Sequence, residues 1–367
     1  ATKVVVDGAY EIAYLFGGGN GKDRIYKNDA WAENPGADVG IIDPAAYAAD
    51  PTDGKYGTGT TYVNIKGGHV LQAFGGSNMK GNVVTEAKVV LGHEDPDYCV
   101  LRVDEVFGAG NEAHMDGSSG VDMGCVFGKV DVTFGGARNA DVYSDVVLNI
   151  TSGSYARVFG GNDRGGTIYG SITVNVEETG CLPINIDELY GGGNLAPYTV
   201  ENIPAERKAQ LGAAYRNYPE VNVKSASSIG TVYGGGYGTT AVVTGNPHVN
   251  ISMCPGFVNG EYDDEDNDVD SEYEDYEMLP LGTIGTVFGG GNQAEVNGDT
   301  YVNIGTLGQI NWTTLVEDTE SSDYEKKNPL HLTNPRAVTG VNILNNVYGG
   351  GNNADVKGEA HVVIGQQ

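Results

Sequence analysis

Residues 287–305 read VFGGGNQAEVNGDTYVNIG, and residues 347–365 read VYGGGNNADVKGEAHVVIG. The two segments are identical at 11 of 19 aligned positions, and the alignment needs no gap. Internal repetition of this kind is the sequence signature of a repeat protein, in which stacked copies of one unit form a continuous core. We therefore expect weaker copies of the same unit along the rest of the chain.

The repeated motif is an aromatic residue followed by two or three glycines and usually by asparagine. Mostly apolar residues stand four positions and one position before the aromatic residue, as Ile284 and Val287 do before Phe288. A single strand places residues an even number apart on one face, so this offset of three predicts a corner between the two positions. Copies of the motif are anchored at Phe16, Phe74, Phe107, Phe134, Phe159, Tyr190, Tyr233, Phe288 and Tyr348.

A third strand of Val-Asn-Ile type recurs along the chain, for example at residues 249–251 and 302–304. In such a strand the β-branched residues face one side and the asparagine faces the other. Phe107, Phe134 and Phe159 are 27 and 25 residues apart. This spacing accommodates three short strands per coil and is too short for the roughly 40-residue blade of a β-propeller.

These patterns predict an all-β fold, namely a right-handed, single-stranded parallel β-helix with three faces. We expect residues 1–367 to form one domain of about nine coils. A single coil cannot bury its apolar face, whereas stacked coils can, because each strand pairs in parallel with its equivalents ~4.8 Å above and below. Right-handed winding is expected because crossovers between parallel strands are almost always right-handed.

Glycine and asparagine at the motif have structural interpretations. The chain contains 57 glycines, about twice the average share of roughly 7%, because each tight corner needs a positive φ or a close backbone approach. Asparagine four residues after the aromatic can hydrogen-bond to its equivalents in an amide ladder along the axis. This position is occupied by asparagine at Asn20, Asn78, Asn111, Asn194, Asn292 and Asn352.

The charge of the chain limits its partners. The formal net charge is −28, from 49 acidic and 21 basic residues. Such a chain repels phosphate backbones, so we expect no nucleic-acid binding. No stretch approaches the roughly 20 apolar residues of a membrane span, so we expect no direct span either. The sequence begins at Ala1 without a signal peptide, which we interpret as a mature or excised fragment whose parent had a targeting segment.

The four cysteines, Cys99, Cys125, Cys181 and Cys254, have spacings that match no zinc or CxxC pattern. The interpretation that we favour is that they are small buried residues inside coils. Disulfide bonds are the second interpretation, and a metal site is the third.

Four insertions interrupt the repeats, at residues 21–60, 200–219, 252–281 and 306–339. Solenoids tolerate insertions at corners, and such insertions often form the binding face. The second insertion contains PAERKAQL, which predicts a two-turn helix because proline is favoured at the start of a helix. A short helix is also predicted after Asp43 in the first insertion.

Aromatic residues in the insertions are the candidate ligand contacts, because exposed aromatic rings can stack on a ligand. The hypothesis competes with simple solvation, since three of these residues have many acidic neighbours. The candidates are Trp31, Trp312, Tyr262, Tyr273 and Tyr276.

The insertion at residues 261–277 reads EYDDEDNDVDSEYEDYE. Clustered carboxylates suit calcium, although the segment lacks the glycine and the spacing of an EF-hand loop. A solvated acidic loop is the interpretation that we favour, and calcium is the only cofactor under consideration. The candidate calcium ligands are Asp263, Asp264, Asp266, Asp268 and Asp270.

No catalytic residue is assigned from the sequence, because it contains neither an HExxH nor a GxSxG motif. Carboxylates do stand directly before the motif, at Asp104, Glu105 and Asp131 and again at Asp187 and Glu188. Paired carboxylates can act as acid and base. The same positions hold glycine and asparagine in other copies, however, so turn geometry also explains them.

The repeat [VL]-[FY]-G-G-G-N followed by V-N-I-G resembles the glycine-rich parallel β-helix repeats of secreted or cell-surface, adhesin-like proteins from Bacteroides-like bacteria. The resemblance implies an extracellular or outer-surface location and an adhesin-like or glycan-binding role. It implies no catalytic residues. The copy at Tyr233 departs from the pattern, with Tyr237 in place of asparagine, and the copies at Phe134 and Phe159 shift the asparagine by one place.

Three hypotheses for function follow from the sequence. The first is a non-enzymatic adhesion or ligand-binding scaffold that presents its loops to a glycan or to a host or bacterial surface protein. The second is a polysaccharide lyase or glycoside hydrolase acting on one face of the β-helix. The third is a purely structural stalk.

Overall fold

The computed structural model describes residues 1–22, 24–33, 37–40, 59–93, 95, 99–178, 181–199, 216, 218–252, 257–258, 277–278, 282–305 and 341–365. Within these residues all regular structure is β-strand, and no helix is present. In chain order the strands are β1 (Thr2–Asp7), β2 (Ile12–Phe16), β3 (Arg24–Lys27), β4 (Ala30–Glu33), β5 (Thr60–Phe74), β6 (Glu86–Leu91), β7 (Leu101–Phe107), β8 (Ser118–Met123), β9 (Gly128–Phe134), β10 (Val146–Ile150), β11 (Gly153–Phe159), β12 (Ile172–Glu177), β13 (Ile184–Tyr190), β14 (Tyr198–Thr199), β15 (Pro219–Ser225), β16 (Ser228–Tyr233), β17 (Val243–Thr244), β18 (His248–Ile251), β19 (Phe257–Val258), β20 (Glu277–Met278), β21 (Gly282–Phe288), β22 (Val296–Asn297), β23 (Thr300–Ile304), β24 (Val341–Ile343), β25 (Val347–Tyr348) and β26 (Ala360–Ile364).

Most of the strands wind into three parallel sheets, which confirms the predicted parallel β-helix, while β3 with β4 and β19 with β20 form separate antiparallel pairs. The first sheet contains β1, the first half of β5, β6, β8, β10, β12, β15, β18, β23 and β26. The second contains β2, the second half of β5, β7, β9, β11, β13, β16, β21, β24 and β25. The third is short and contains β14, β17 and β22, extended by single bridges such as Met115–Val142.

The interior is one continuous apolar core that runs from Val6 in the first coil to Val341 in the last. Alternate residues of each Val-Asn-Ile strand supply it, and Val249 and Ile251 of β18 are fully buried. Equivalent residues lie above one another because consecutive strands pair in register, as Val249 does with Val302. The core therefore extends by one layer for each coil.

The prediction of a corner before the aromatic residue is wrong, because the chain there continues as one irregular strand. In the third coil, β7 continues as one strand from Leu101 to Phe107. Its pairing with β9 joins Val103 to Val130 and then Glu105 to Val132, passing over the residue between them. This irregularity reverses the alternation of the strand. Val103 and Val106, which are three positions apart, are consequently both fully buried in the core.

The nine aromatic residues of the motif form one continuous file along the β-helix. Each ring stacks on the next, with centroid separations of 4.6–5.0 Å and interplanar angles of 2–13°. The file forms a cluster of its own, separate from the interior core. The β-helix thus has two parallel hydrophobic elements, of which the sequence predicted only the interior.

The motif glycines permit the close approach of successive coils. A Cβ atom at Gly191 would lie 2.4 Å from the carbonyl oxygen of Gly234 in the next coil, and one at Gly234 would lie 2.3 Å from that of Gly289. These glycines are not in the left-handed region of backbone conformation. Of the two reasons given for the glycine run, close approach is therefore the one that applies.

The predicted ladder of motif asparagines is confirmed in two separate stretches. Asn78 Nδ2 donates to Asn20 Oδ1 at 2.7 Å, and Asn111 Nδ2 donates to Asn78 Oδ1 at 2.8 Å. Near the other end, Asn352 Nδ2 donates to Asn292 Oδ1 at 3.0 Å. The ladder is interrupted where the motif shifts its asparagine, and there Asn162 Oδ1 accepts from the backbone N–H of Ala137 at 2.7 Å.

A second amide ladder follows the asparagines of the Val-Asn-Ile strands on the outer face of the first sheet. Each Nδ2 donates to the Oδ1 of the preceding coil at 2.8–3.0 Å, and the carboxylate of Asp122 accepts the first bond. Because all the bonds point the same way, the amide dipoles add along the axis, and the carboxylate of Asp122 stabilises the positive end of the row, where Asn149 donates to it. The members are Asp122, Asn149, Asn175, Asn222, Asn250 and Asn303.

Replacing Asn250 with valine is expected to lower the free energy of unfolding by about 1 kcal/mol, because Asn303 loses its acceptor and Asn222 loses its donor. Asn64→Val is the matched control, since its column neighbours are Val5 and Val90 and its Oδ1 is buried without a hydrogen-bond partner. We expect Asn64→Val to leave stability unchanged or to raise it. Urea denaturation of both variants measures the difference, and equal losses would contradict a stabilising ladder.

The cysteines differ from the favoured interpretation. Cys125 and Cys181 form a disulfide with a Cα–Cα distance of 5.5 Å, and Cys99 is a free, exposed thiol. Cys125 follows β8 and Cys181 precedes β13, so the bond joins two coils that have one coil between them. The second interpretation, disulfide bonding, is thus correct for this pair. Cys254 lies outside the described residues.

Candidate functional site

A short hairpin projects from the first insertion. Strands β3 and β4 pair antiparallel, and Tyr26 lies directly opposite Trp31. The turn residues Asn28 and Asp29 have φ values of 54° and 59°, as a two-residue type I′ turn requires. Asparagine and aspartate tolerate this left-handed conformation better than most residues do. The local sequence YKNDAW therefore forms a tight hairpin that fixes two aromatic residues across from each other.

Both aromatic residues of the hairpin are largely exposed. The exposed fractions are 61% for Tyr26 and 62% for Trp31, and the rings meet edge to face with centroids 5.5 Å apart. Two exposed aromatic rings held together by a cross-strand pair form a preorganised apolar surface. Trp31, one of the predicted ligand contacts, is thus exposed, and Tyr26 is a neighbour that the sequence analysis did not single out.

The other predicted site residues lie outside the part of the chain that the structure describes. These are the aromatic candidates Trp312, Tyr262, Tyr273 and Tyr276 and the calcium candidates Asp263, Asp264, Asp266, Asp268 and Asp270. The two helices predicted in the insertions fall there as well. Over the described ranges, no group of three or more His, Cys, Asp or Glu side chains is arranged to hold a metal ion.

A shallow groove lies on the outer face of the second sheet and crosses the first four coils. Its volume is about 430 Å³. The groove combines an exposed tyrosine and small apolar side chains with an amide and three carboxylates. Its lining residues are Ala13, Tyr14, Leu71, Gln72, Asp104, Glu105, Asp131 and Val132.

The carboxylates of the groove are bonded to neighbouring side chains. Arg102 Nε donates to Asp104 Oδ1 at 3.2 Å, and Lys129 Nζ lies 2.5 Å from Asp131 Oδ1. In both cases the basic residue stands two positions earlier on the same face of the strand. This pairing lets two aspartates occupy the same column in adjacent coils, because each charge is offset locally.

The third carboxylate and a histidine complete the polar network. The side-chain amide of Gln72 donates to Glu105 Oε2 in the next coil. The ring of His69 lies between two acids, with Nδ1 3.4 Å from Glu11 Oε2 and Nε2 3.3 Å from Asp104 Oδ1. Side chains from three coils thus link across the strands, which orients the groove walls.

The structure separates the carboxylates that the sequence grouped together. Asp104, Glu105 and Asp131 all line the groove. Asp187 and Glu188 belong to β13, two coils further along the β-helix, and do not line it. Asp104 and Asp131 stand at the position that the strand pairing passes over, so an irregularity inside the strand, and not a turn, accounts for this column.

A column of stacked rings on the outer face of the first sheet was missed by the sequence analysis. Tyr218, His248, Tyr301 and His361 stack in sequence with centroid separations of 4.2, 4.6 and 4.6 Å. Burial lowers the pKa of His248, whose Nδ1 is 2.7 Å from the backbone oxygen of Asn246. The sequence does contain a pattern that predicts part of this column. His248, Tyr301 and His361 each stand one position before the valine of a Val-Asn-Ile strand or its equivalent.

The tyrosines in the aromatic file need partners for their hydroxyl groups. Asn292 Nδ2 donates to Tyr190 Oη at 3.2 Å. Burial raises the pKa of both Tyr190 and Tyr233 above the ordinary tyrosine value. Tyr237, which replaces the motif asparagine, packs edge-on against Phe159 and Tyr190 with centroid separations of 6.5 and 5.7 Å. These groups are therefore packed as structural parts of the file.

The fold defines the chain as a single-stranded parallel β-helix protein. Comparison with family models, with curated protein sequences and with solved structures gave no match for this chain. In the described part of the chain, no helix is long and apolar enough to cross a membrane.

Proposed function

We propose that this protein is a non-enzymatic, secreted or cell-surface scaffold that binds glycan through exposed aromatic residues in its insertions. The observation that carries this proposal is the pair of Tyr26 and Trp31, more than half exposed and held opposite each other on a two-residue hairpin. Contiguous exposed apolar surface, unlike a single exposed residue, often marks an interaction site. Their flat apolar faces suit the C–H faces of a sugar ring.

An extracellular location is supported by the disulfide between Cys125 and Cys181. Disulfides persist in oxidising environments and are rare in the reducing cytosol. The strongly acidic composition, with a net charge of −28, is consistent with this location because it favours solubility and discourages association with anionic polymers. Both features support the proposal without depending on the resemblance of the repeat.

A scaffold role, as opposed to an enzymatic one, is supported by the ion pairing in the groove. Asp104 and Asp131 each have a basic partner in the same strand, and Glu105 accepts from Gln72. A general acid and base need different protonation states and access to the substrate. Carboxylates that are bonded in this way are better suited to holding a surface in shape or to accepting hydrogen bonds from a ligand.

Trp31→Ala is expected to weaken glycan binding by at least about tenfold, which corresponds to roughly 1.4 kcal/mol of lost contact. A glycan array identifies a binding glycan, and calorimetry with that glycan measures the loss. Tyr10→Ala is the matched control, because Tyr10 is a fully exposed aromatic residue between β1 and β2. Equal affinity of the Trp31→Ala variant and the wild type would contradict the hairpin as the binding site.

Two other outcomes separate the alternatives. Depolymerisation of a bound polysaccharide, measured as an increase in reducing ends, would overturn the non-enzymatic proposal in favour of a lyase or hydrolase. The absence of binding on the glycan array, together with the absence of polysaccharide cleavage, would favour the structural stalk.

A further inference from the structure

We infer that the groove on the outer face of the second sheet is a binding site for a neutral polysaccharide chain that lies along the axis of the β-helix. The inference rests on the proposed function in one respect, which is that carbohydrate is the class of ligand. It uses a different surface, however, built from the coils and not from an insertion. It can therefore succeed or fail independently of the hairpin.

The arrangement of the groove fits an extended ligand. Tyr14 pairs with Gln72, Gln72 with Glu105, and Glu105 with Val132, so these four residues form one column in four consecutive coils. Adjacent coils are ~4.8 Å apart, so the column extends over roughly 14 Å. A linear polymer parallel to the axis would meet one new side chain for each coil that it crosses.

The chemistry of the column suits a sugar chain. Tyr14 is 63% exposed at one end of the column, Leu71 supplies apolar surface in the next coil, and Val132 supplies apolar surface at the other end. Glu105 and Asp104 contribute carboxylate oxygens, which accept hydrogen bonds from hydroxyl groups, whereas the amide oxygen of Gln72 is buried. Apolar surface with a few oriented polar groups is the usual composition of a small-ligand site, and a sugar presents both C–H faces and hydroxyl donors to it.

Charge selects a neutral ligand over an anionic one. Four carboxylates, Glu11, Asp104, Glu105 and Asp131, contribute −4 at and beside the groove. Arg102 and Lys129 contribute +2, and Arg157, which follows Val132 in the column, contributes +1, so the formal balance of these acidic and basic side chains is −1. The whole chain, with these groups included, has a formal net charge of −28. Uronate polymers and nucleic acids would therefore be repelled.

A cationic peptide is the competing occupant of an acidic groove, and the ion pairs disfavour it. Asp104 and Asp131 already contact Arg102 and Lys129, so a ligand cation would have to displace an existing partner. A hydroxyl group needs only a remaining lone pair on the same carboxylate, because an ionised carboxylate has about four acceptor sites. The paired carboxylates thus favour a hydroxyl-rich ligand.

Calorimetry with linear hexasaccharides tests the inference. The neutral probes are the hexamers of β-1,4-linked glucose, xylose and mannose, and the comparison ligands are hexagalacturonate and hexalysine. We expect at least one neutral hexamer to bind and hexagalacturonate to be rejected. Tyr14→Ala is expected to weaken that binding by at least about tenfold, and because Tyr14 is exposed the variant should keep the wild-type circular dichroism spectrum.

Trp31→Ala distinguishes the groove from the hairpin. Binding that is lost with Tyr14→Ala and kept with Trp31→Ala supports the groove and goes against the hairpin as the glycan site. The reverse pattern supports the hairpin and overturns the inference for the groove. Tight binding of hexalysine, or the absence of binding by every neutral hexamer, also overturns it. Glu105→Gln, which keeps the shape of the wall, is expected to retain most of the binding because an amide oxygen still accepts.

Discussion

Replacing Phe107 with alanine is expected to lower the free energy of unfolding by about 3–5 kcal/mol, the usual loss when a large buried aromatic side chain is truncated. Phe107 is fully buried, and its ring stacks on Phe74 at 4.6 Å and on Phe134 at 4.8 Å. The substitution removes both contacts and leaves a cavity inside the file. The glycines that hold adjacent coils in contact prevent the neighbours from closing it.

Phe16→Ala is the matched control for this prediction. Phe16 occupies the same motif position at the end of the file, is only partly buried and stacks on a single neighbour, Phe74. Its loss should be about half as large, because it makes one ring contact in place of two. Guanidinium denaturation followed by circular dichroism measures both variants. Losses of the same size would show that the stacked file contributes little beyond local burial.

Replacing Gly290 with alanine is expected to lower the free energy of unfolding by about 2 kcal/mol, within the range measured for overpacked sites. A Cβ atom at Gly290 would lie 2.8 Å from the backbone nitrogen of Gly351 in the next coil. Backbone atoms on both sides limit the movement that could relieve this contact. The coils must therefore separate locally, and Gly290 N would lose part of its 3.1 Å hydrogen bond to Gly350 O.

Gly350→Ala provides a control at the equivalent motif position one coil later. A Cβ atom at Gly350 meets nothing within 4 Å, and the surrounding sequence is nearly that of the Gly290 motif. Surface substitutions away from special features usually change stability by less than about 0.5 kcal/mol, and we expect this result here. Similar effects of the two substitutions would indicate that glycine is required for its backbone conformation and not for coil contact.

The parallel β-helix could be predicted because its signal is repeated in every coil. One Val-Asn-Ile strand is ambiguous, whereas the same pattern at equivalent positions around Val249, Val302 and Val362 specifies both the strand and its stacking partner. The alignment of the motif aromatic residues with one another could be predicted for the same reason. A sequence-based prediction of a repeat protein therefore gains its strength from the agreement between copies.

The irregularity inside the strand and the position of the aromatic file outside the main core could not be predicted from the same pattern. An offset of three between Val103 and Val106 is compatible with a corner or with an irregularity inside one strand, and only the pairing with β9 distinguishes them. Likewise, the burial of Phe107 in a cluster outside the main core depends on how the glycine turn folds back. Both features depend on contacts between coils.

The disulfide and the groove could not be predicted from the sequence for a related reason. Cys125 and Cys181 are 56 residues apart in sequence, and their Cα atoms lie 5.5 Å apart because the stacked coils bring the segment after β8 close to the segment before β13. Tyr14 and Gln72 are 58 residues apart because the first insertion separates them, yet they are neighbours in the second sheet. An insertion of unknown path changes the sequence separation of residues that pair, so such pairs cannot be inferred from sequence spacing. The tight hairpin around Trp31, by contrast, depends only on adjacent residues.

Each inner coil pairs in parallel with the coil on either side of it, and this affects how the length of the protein can change in evolution. Residues 135–159 form one complete turn of 25 residues, beginning after Phe134 and ending at Phe159. A genetic duplication or deletion of such a unit leaves a compatible backbone edge on either side, so the length can change in whole turns without a new fold. The bond between Cys125 and Cys181 encloses one intervening turn, and it therefore restrains recombination in this stretch while the rest of the array stays free to lengthen.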